Sequence, residues 1–398
     1  MATVHLIRGK AKPVWAGHPW IYVASIASVE GAPADGDVVE VRDDARHFVA
    51  RGFWNSRSLL RVRVLTMDEA ATDPAAVVAA RVRAASALRE DAGVPAETDA
   101  YRLIHAEGDG LPGVIADRYG EWVVVQISVL GMERLLVPLA DAIQAAVRPR
   151  GIWLRGGARH AKAEGLADGD RLLVGSEPPD TVWIRERGVG FGVDLRAGAK
   201  TGHFADQREN RARFAALCRG RRVLDAFCGT GGFALHALVN GGAASAMCVD
   251  GSTAALEGLR RNAARNAVKE RITDVEEDGF LAMRRLSGAG ERFGAISVDP
   301  PRLAEKKHDL EGALKAHREL HLRALEMLED GGVLAASSCS GALPEEAFEE
   351  TIRDAARMAK RRVQVLHRGG QGPDHPWSVA TPEGRYLKFL LARVTPMG

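Results

Sequence analysis

Four cysteines occur in 398 residues, and one of them stands where a thiol could do chemistry. Cys339 lies in Ser337-Ser338-Cys339-Ser340-Gly341, directly after an apolar run, so it is expected at the end of a buried strand. A thiol among small hydroxyl residues at a strand end suits attack better than packing, because the thiolate is the nucleophile and needs an open face. Cys228, inside a glycine turn, reads instead as a packing residue. The second candidate is Asp299, in Val298-Asp299-Pro300-Pro301-Arg302. Two successive prolines remove two backbone donors and fix the turn, which holds the Asp299 side chain outward as an edge for the amine or amide groups of a flat heterocycle.

A third group of residues points to a nucleotide-like ligand. Arg221 to Ala234 reads as a short buried strand closed by Asp225, a tight turn through Gly229, Gly231 and Gly232, and a helix opening at Phe233. Glycines at that place let a ligand touch the backbone. Gly229-x-Gly231-x-x-Ala234 also satisfies the loose dinucleotide pattern, so NAD or FAD stays open on the loop alone. Asp225 argues the other way, since a carboxylate in the turn would repel a pyrophosphate and welcome a cationic sulfonium or an amino group. Phe227 stands near the first glycine. Asp250, 25 positions after Asp225, is placed to take both ribose hydroxyls. Asp278-Gly279-Phe280 offers a carboxylate for an exocyclic amine and a ring to stack on a base, although a lone acid at a strand end is as often a helix N-cap.

The elements that must position these residues alternate. Strands are expected near 222–226, 245–249, 272–276, 294–298, 332–337 and 362–367, with a closing pair near 377–380 and 385–394. Helices are expected near 232–240, 252–266, 279–286, 309–328 and 344–359. Such βαβ repetition predicts an α/β fold with a largely parallel sheet covered by helices on both faces. His317 and His321 share a helix face, but His-Arg-Glu-Leu-His is not the zinc-protease order, and no metal is expected.

The first half of the chain carries no comparable constellation. Residues 1–66 hold short strands (21–23, 38–41, 48–50, 59–65), as in a small barrel, with nine Lys/Arg against six Asp/Glu and with Trp15, Trp20, Tyr22 and Trp54 interleaved. Basic and aromatic residues together fit RNA by phosphate contact and stacking, whereas aromatics in a barrel core explain them as well. Residues 67–198 read as a small α+β domain: a helix capped by Asp73-Pro74, strands near 102–105, 114–119 and 121–129, a helix near 132–147, and strands near 152–154, 182–186 and 191–195. Arg148, Arg150, Arg155, Arg159 and Lys162 cluster there, more simply as a solvated surface than as an RNA contact. Charged residues at 27% and a net charge of +2 exclude a histone-like polycation. The cysteines lack C-x-x-C spacing and no apolar run approaches a membrane span, so a cytoplasmic protein with reduced thiols and no membrane contact is expected.

Taken together, Asp225-Ala-Phe-Cys-Gly-Thr-Gly-Gly-Phe233, Asp299-Pro-Pro301 and Ser338-Cys-Ser340 resemble the cofactor loop, target-base loop and nucleophile motif of class I S-adenosylmethionine-dependent RNA methyltransferases. More closely, the chain resembles the bacterial and archaeal family of 23S ribosomal RNA large-subunit methyltransferases acting on cytosine C5. Gly17-His-Pro-Trp-Ile-Tyr22, Glu107-Gly-Asp-Gly-Leu-Pro-Gly113, Asp117-Arg-Tyr-Gly120, Lys200 to Arg211, Asp374-His-Pro376 and Pro382 to Lys388 extend the likeness over nearly the whole length. The resemblance implies three domains: a PUA-like RNA-binding barrel (1–66), a central α+β domain (67–198) and a Rossmann-like methyltransferase domain (199–398). It implies S-adenosylmethionine as cofactor, with Phe204, Gln207 and Pro300 added to Asp225, Phe227, Gly229, Gly231, Asp250, Asp278, Gly279 and Phe280 around it, and Cys339 and Asp299 as catalytic residues. The implied partner is ribosomal RNA, 23S above all, and a homodimer is left open. Gly202-His203-Phe204-Ala205 departs from the family's usual Gly-Phe-Phe or Gly-Phe-Tyr, and Arg302 is reminiscent of the uracil-C5 enzymes. Methylation of uracil C5 or of a guanine nitrogen, a non-catalytic RNA-binding assembly factor with a vestigial cofactor fold, and more distantly a nicotinamide dehydrogenase remain as alternatives.

Overall fold

The computed structural model describes residues 1–157, 161–167, 169–196 and 202–397. Arg159, Lys200 and Thr201 of the sequence patterns lie outside them. The chain forms two compact units. The first comprises Met1–Ile184, Val193–Ala205 and Pro373–Gly384, and the second comprises Arg185–Gly192, Asp206–Gly372 and Arg385–Gly398. Gly202–Ala205 and Pro373–Gly384, expected with the methyltransferase half, thus cluster with the first unit.

In the first unit a six-stranded sheet is built from β1 (Thr3–Leu6), β2 (Trp20–Tyr22), β3 (Ile26–Glu30), β4 (Val38–Arg42), β5 (Phe48–Trp54) and β6 (Leu60–Thr66) in the order β2-β6-β5-β4-β1-β3, with the one-turn helix α1 (Lys12–Trp15) beside it. Alternation in β1 and β4 turns Val4, Leu6, Val39 and Val41 into a core shared with Ile21, Val49 and Val62. Trp54 packs on that core, while Trp15 and Tyr22 are exposed, so the aromatics divide between the two roles considered for them.

A second sheet follows, β7 (Ala100–His105), β8 (Val114–Tyr119), β9 (Trp122–Ile127), β10 (Gly151–Leu154) and β11 (Arg171–Gly175), in the order β11-β10-β9-β8-β7. The helices of this region are α2 (Pro74–Asp91), α3 (Val94–Glu97), α4 (Leu130–Glu133), α5 (Leu136–Val147) and α6 (Ala161–Glu164). Asp73 caps α2 by accepting from the Ala75 N–H at 2.9 Å. The single helix expected over 132–147 is broken into α4 and α5. Pro138 explains the break: without an N–H it could not bond back to Arg134 in a continuous helix, and it is tolerated in the first turn of α5.

After β11 the chain forms β12 (Val182–Glu186) and β13 (Val189–Val193), which pair as a ribbon. The second unit holds one seven-stranded sheet of β14 (Arg222–Ala226), β15 (Ser245–Asp250), β16 (Ile272–Glu276), β17 (Phe293–Val298), β18 (Leu328–Ser338), β19 (Arg361–Gly369) and β20 (Lys388–Pro396). Its helices are α7 (Arg208–Ala215), α8 (Gly232–Val239), α9 (Thr253–Arg265), α10 (Gly279–Gly288), α11 (Leu310–Met327) and α12 (Glu345–Met358). The order is β16-β15-β14-β17-β18-β20-β19. Strands β14 to β18 run parallel, and β20 lies antiparallel between β18 and β19. Leu224, Ile296, Leu334 and Leu390, all at 3% exposure or less, form the sheet's part of the core, as expected for strands covered on both faces.

One expected pair is corrected. Residues 377–380 are not a strand; the closing antiparallel pair is β19 with β20. Pro376 and Pro382 flank that stretch, and the Ala380 N–H turns back to the Ser378 hydroxyl at 3.2 Å and the Thr381 N–H to the Ser378 carbonyl at 2.8 Å, so these donors are used locally. Among the described residues no helix is long and apolar enough to cross a membrane.

Candidate active site

In the second unit the sheet reverses its direction of growth between β14 and β17, and in such sheets a crevice opens at the carboxyl ends on either side of that point. The glycine loop occupies one side. Phe227 and Gly229 have φ of 64° and 54°, and Gly231, at 92°, begins α8. A Cβ on Gly231 would lie 2.4 Å from Leu259, whereas one on Gly229 would meet nothing within 4 Å. Gly231 therefore permits close helix packing, and Gly229 faces open space.

Asp225 is 1% exposed, so it does not present a carboxylate to a ligand as expected. Its Oδ2 accepts from the Ala234 N–H at 2.9 Å and its Oδ1 from the Ser297 hydroxyl at 2.7 Å, which ties strand, loop and α8 together. Burial pushes its carboxyl up to about 7 against the pull of those two hydrogen bonds. Asp250 also braces the loop: Oδ2 accepts from the Gly229 N–H at 2.8 Å and Oδ1 from the Ser252 N–H at 2.9 Å. It is half-buried, and each carboxylate oxygen retains a lone pair for a hydroxyl. Asp278 caps α10 through Oδ1, accepting from Phe280 and Leu281, and is otherwise exposed. Phe227 and Phe280 meet edge to face at 5.6 Å, and a Cβ on Gly279 would lie 2.3 Å from the Phe227 ring. Phe227, Gly279 and Phe280 thus make one aromatic wall near Asp250. An open glycine loop, a half-exposed acid and an aromatic wall fit an adenosine-bearing ligand.

The other side is assembled from distant segments. Asp299, half-buried beyond β17, accepts through Oδ2 from the Gln207 amide at 3.0 Å, and the same amide nitrogen lies 3.1 Å from the Ser337 hydroxyl. Gln207, only 3% exposed, is held in turn by Asn210 at 2.6 Å. Pro300 is buried, and Pro301 and Arg302 are exposed. The chain beyond the prolines is tied to the Cys339 segment, because the Leu303 and Ala304 N–H groups donate to the buried Ser340 hydroxyl at 3.2 and 3.1 Å. Cys339 itself follows the last residue of β18 and is half-buried. Behind it, His317 Nε2 lies 3.1 Å from the Ser338 hydroxyl, and burial, reinforced by the Lys388 charge, pushes this imidazole down to about 4, so it is neutral.

The remaining thiols differ from Cys339. Cys218, Cys228 and Cys248 are buried; burial pushes Cys218 up to about 12, and a hydrogen bond with Cys248 together with burial pushes Cys228 well up. His317 and His321 stack at 5.7 Å and bond to Ser338 and Thr351, a packing arrangement. Phe204 belongs to the first unit, where it is exposed. Sequence reasoning did not foresee the bridging of Asp299 and Ser337 by Gln207, the tie made by Ser340, or Lys388, although Gln207 and Lys388 stand inside patterns already singled out.

Two families match the sequence: a PUA-like domain over residues 4–67 and an S-adenosylmethionine-dependent methyltransferase over 151–381. Two similar curated proteins are named ribosomal RNA large subunit methyltransferase I. That of Photobacterium profundum is 37% identical over 97% of this chain and 98% of its own length. That of Shewanella frigidimarina is 38% identical over 98% and 99%. Among solved structures, a putative S-adenosylmethionine-dependent methyltransferase from Streptococcus mutans, 20% identical, superposes with a TM-score of 0.82 over 99% of this chain and all of its own. A putative methyltransferase solved with SAH, also 20% identical, gives 0.84 over the same shares, and both show the shared fold.

Proposed function

Because the chain belongs to the S-adenosylmethionine-dependent methyltransferases, in the family of ribosomal RNA large subunit methyltransferase I, we propose that it methylates C5 of a cytosine in 23S ribosomal RNA. The observation that carries this reading is the Ser340 hydroxyl, which joins the Asp299 turn to the Cys339 strand end at one rim of the sheet.

S-adenosylmethionine, when bound, supplies an electrophilic methyl group. Gly229 and Gly231 shape its loop, Asp250 takes its ribose hydroxyls, and Phe227, Gly279 and Phe280 flank its base, with Asp278 at the exposed edge. Asp225 acts indirectly, by bracing the loop. C5 of cytosine is too weak a nucleophile alone. Attack of the Cys339 thiolate on C6 forms an Sγ–C6 bond and leaves C5 enamine-like, so that C5 accepts the methyl group. Loss of the C5 proton to a base then re-forms the ring double bond and breaks the Sγ–C6 bond. Asp299, fixed by Gln207 and its two prolines, meets the N3 and amine edge and stabilises charge driven into the ring. Pro300 and Gln207 border the cofactor side of the same rim, and Phe204 joins them by resemblance.

We further assign residues 1–66 as the RNA-binding barrel, 67–198 as a central domain and 199–398 as the methyltransferase domain, working on ribosomal RNA in the cytoplasm. The target base must leave its stack to enter the site. Mapping methylated pyrimidines in RNA from cells with and without the protein, with mass spectrometry of the nucleoside, tests the reading. A 5-methylcytosine lost from 23S RNA supports it; loss of a methylated uracil or guanine, or of nothing, overturns it.

A further inference from the structure

The rim holds a buried cation to which the reaction above gives no task. Lys388, the first residue of β20, is 7% exposed and stands opposite Ser338 in the antiparallel register with β18. Its ammonium donates to the Ser340 carbonyl at 2.7 Å and to the Tyr386 carbonyl at 3.2 Å. Cys339 is the residue between the register partner and the first acceptor, so the lysine reaches across it. An ammonium carries three N–H donors, and two carbonyls leave one over.

The charged groups around Lys388 leave the thiol as its natural counter-ion. Arg385 approaches from the same segment and Glu345 from α12, and these two pair with each other at 2.5 Å. His317, from α11, is neutral. Burial, with Arg385, draws the ammonium down to about 8, and Cys339 acts in the opposite sense, as an anion beside it would. A lysine held in this way is a fixed positive charge near a thiol, an arrangement that favours thiolate.

We propose that Lys388 is a positioning residue that holds Cys339 as a thiolate, its third N–H facing the sulfur. The thiol proton leaves to solvent and the ammonium keeps its own; the ion pair is given up as the Sγ–C6 bond forms and restored when that bond breaks. The inference rests on Cys339 being the nucleophile.

The test is the pH dependence of Cys339 alkylation by iodoacetamide, read peptide by peptide by mass spectrometry on the full chain, with S-adenosylmethionine binding and thermal melting as controls for the fold. The wild-type midpoint should lie below the free-thiol value of about 8.5. Lys388→Met should raise it by about one pH unit or more, leaving about tenfold less thiolate near neutrality, and Lys388→Arg should restore most of the shift. Reciprocally, Cys339→Ala should lower the titration midpoint of Lys388, followed by NMR of labelled lysine; this arm does not depend on a Lys388 variant folding. Unchanged midpoints in either arm overturn the inference. Normal methyl transfer by Cys339→Ala would instead overturn the underlying reaction, whatever the midpoints.

Discussion

At the glycine loop, Asp225 and Asp250 give their oxygens to backbone N–H groups within about 25 positions of themselves and to one neighbouring strand, so that half of the site is braced locally. At the rim beyond β17 and β18, Gln207, Asp299, Ser337 with Ser340, and Lys388 come from four separate segments, which hydrogen bonds tie together. On the proposed reading, the contrast makes cofactor binding and chemistry separable. A change at the rim should remove catalysis and leave the loop able to bind, and a change at the loop should act on binding and stability first.

The sharpest way to break that comparison is Cys339→Ala. Methyl transfer should fall by about 10⁴-fold or more, while the S-adenosylmethionine Kd, measured by calorimetry, stays within about twofold. Loss of binding along with activity would join the two regions. Asp299→Asn comes next, with kcat about 10²–10³-fold lower and the same Kd, read in single-turnover assays. Ser340→Ala should be milder on rate, about tenfold, but should lower stability by about 1–3 kcal/mol in urea melts, because the Leu303 and Ala304 N–H groups lose their acceptor.

The smallest effect on rate is expected at Asp225→Asn, whose signature is pH-dependent stability. Its carboxyl sits at about 7 in the fold, above the ordinary 3.8, so the fold binds the proton more tightly than the unfolded chain does. The stability this group contributes is complete below about pH 4 and is lost as pH rises through about 7. Melting temperatures at pH 4.5, 6 and 8 should show the variant gaining on the wild type with rising pH. A constant difference would mean that the carboxyl is not held protonated by burial.

Much of this comparison is legible in the sequence. The expected strands at 222–226 and 272–276 coincide with β14 and β16: β14 is an apolar run closed by a turn signal, whereas β16, an edge strand with no buried residue, follows from the alternation of strands and helices around it. Asp299 and Cys339 are visible because each follows such a run. The edge strands β3 and β11 were not anticipated: with most side chains outside the core, they carry no alternation to read. The hydrogen bonds by which Asp225 and Asp250 brace the loop do not show in the sequence, because a strand-end acid looks the same whether it faces a ligand or a backbone N–H. Lys388 was invisible as a site residue for a different reason, since its place depends on β20 running against its neighbours, which no local pattern states.

That reversal has a consequence in time. In a sheet of parallel strands the reacting edge collects strand ends, but β20 brings a strand beginning to it, from a segment synthesised after every other strand of the sheet. On a translating ribosome the glycine loop exists well before this last piece is available, and β19 must wait for the same piece to gain a neighbour. A chain cut short before residue 385 would lack the strand that lies between β18 and β19, and with it Lys388 and the core residues Leu390, Ala392 and Val394.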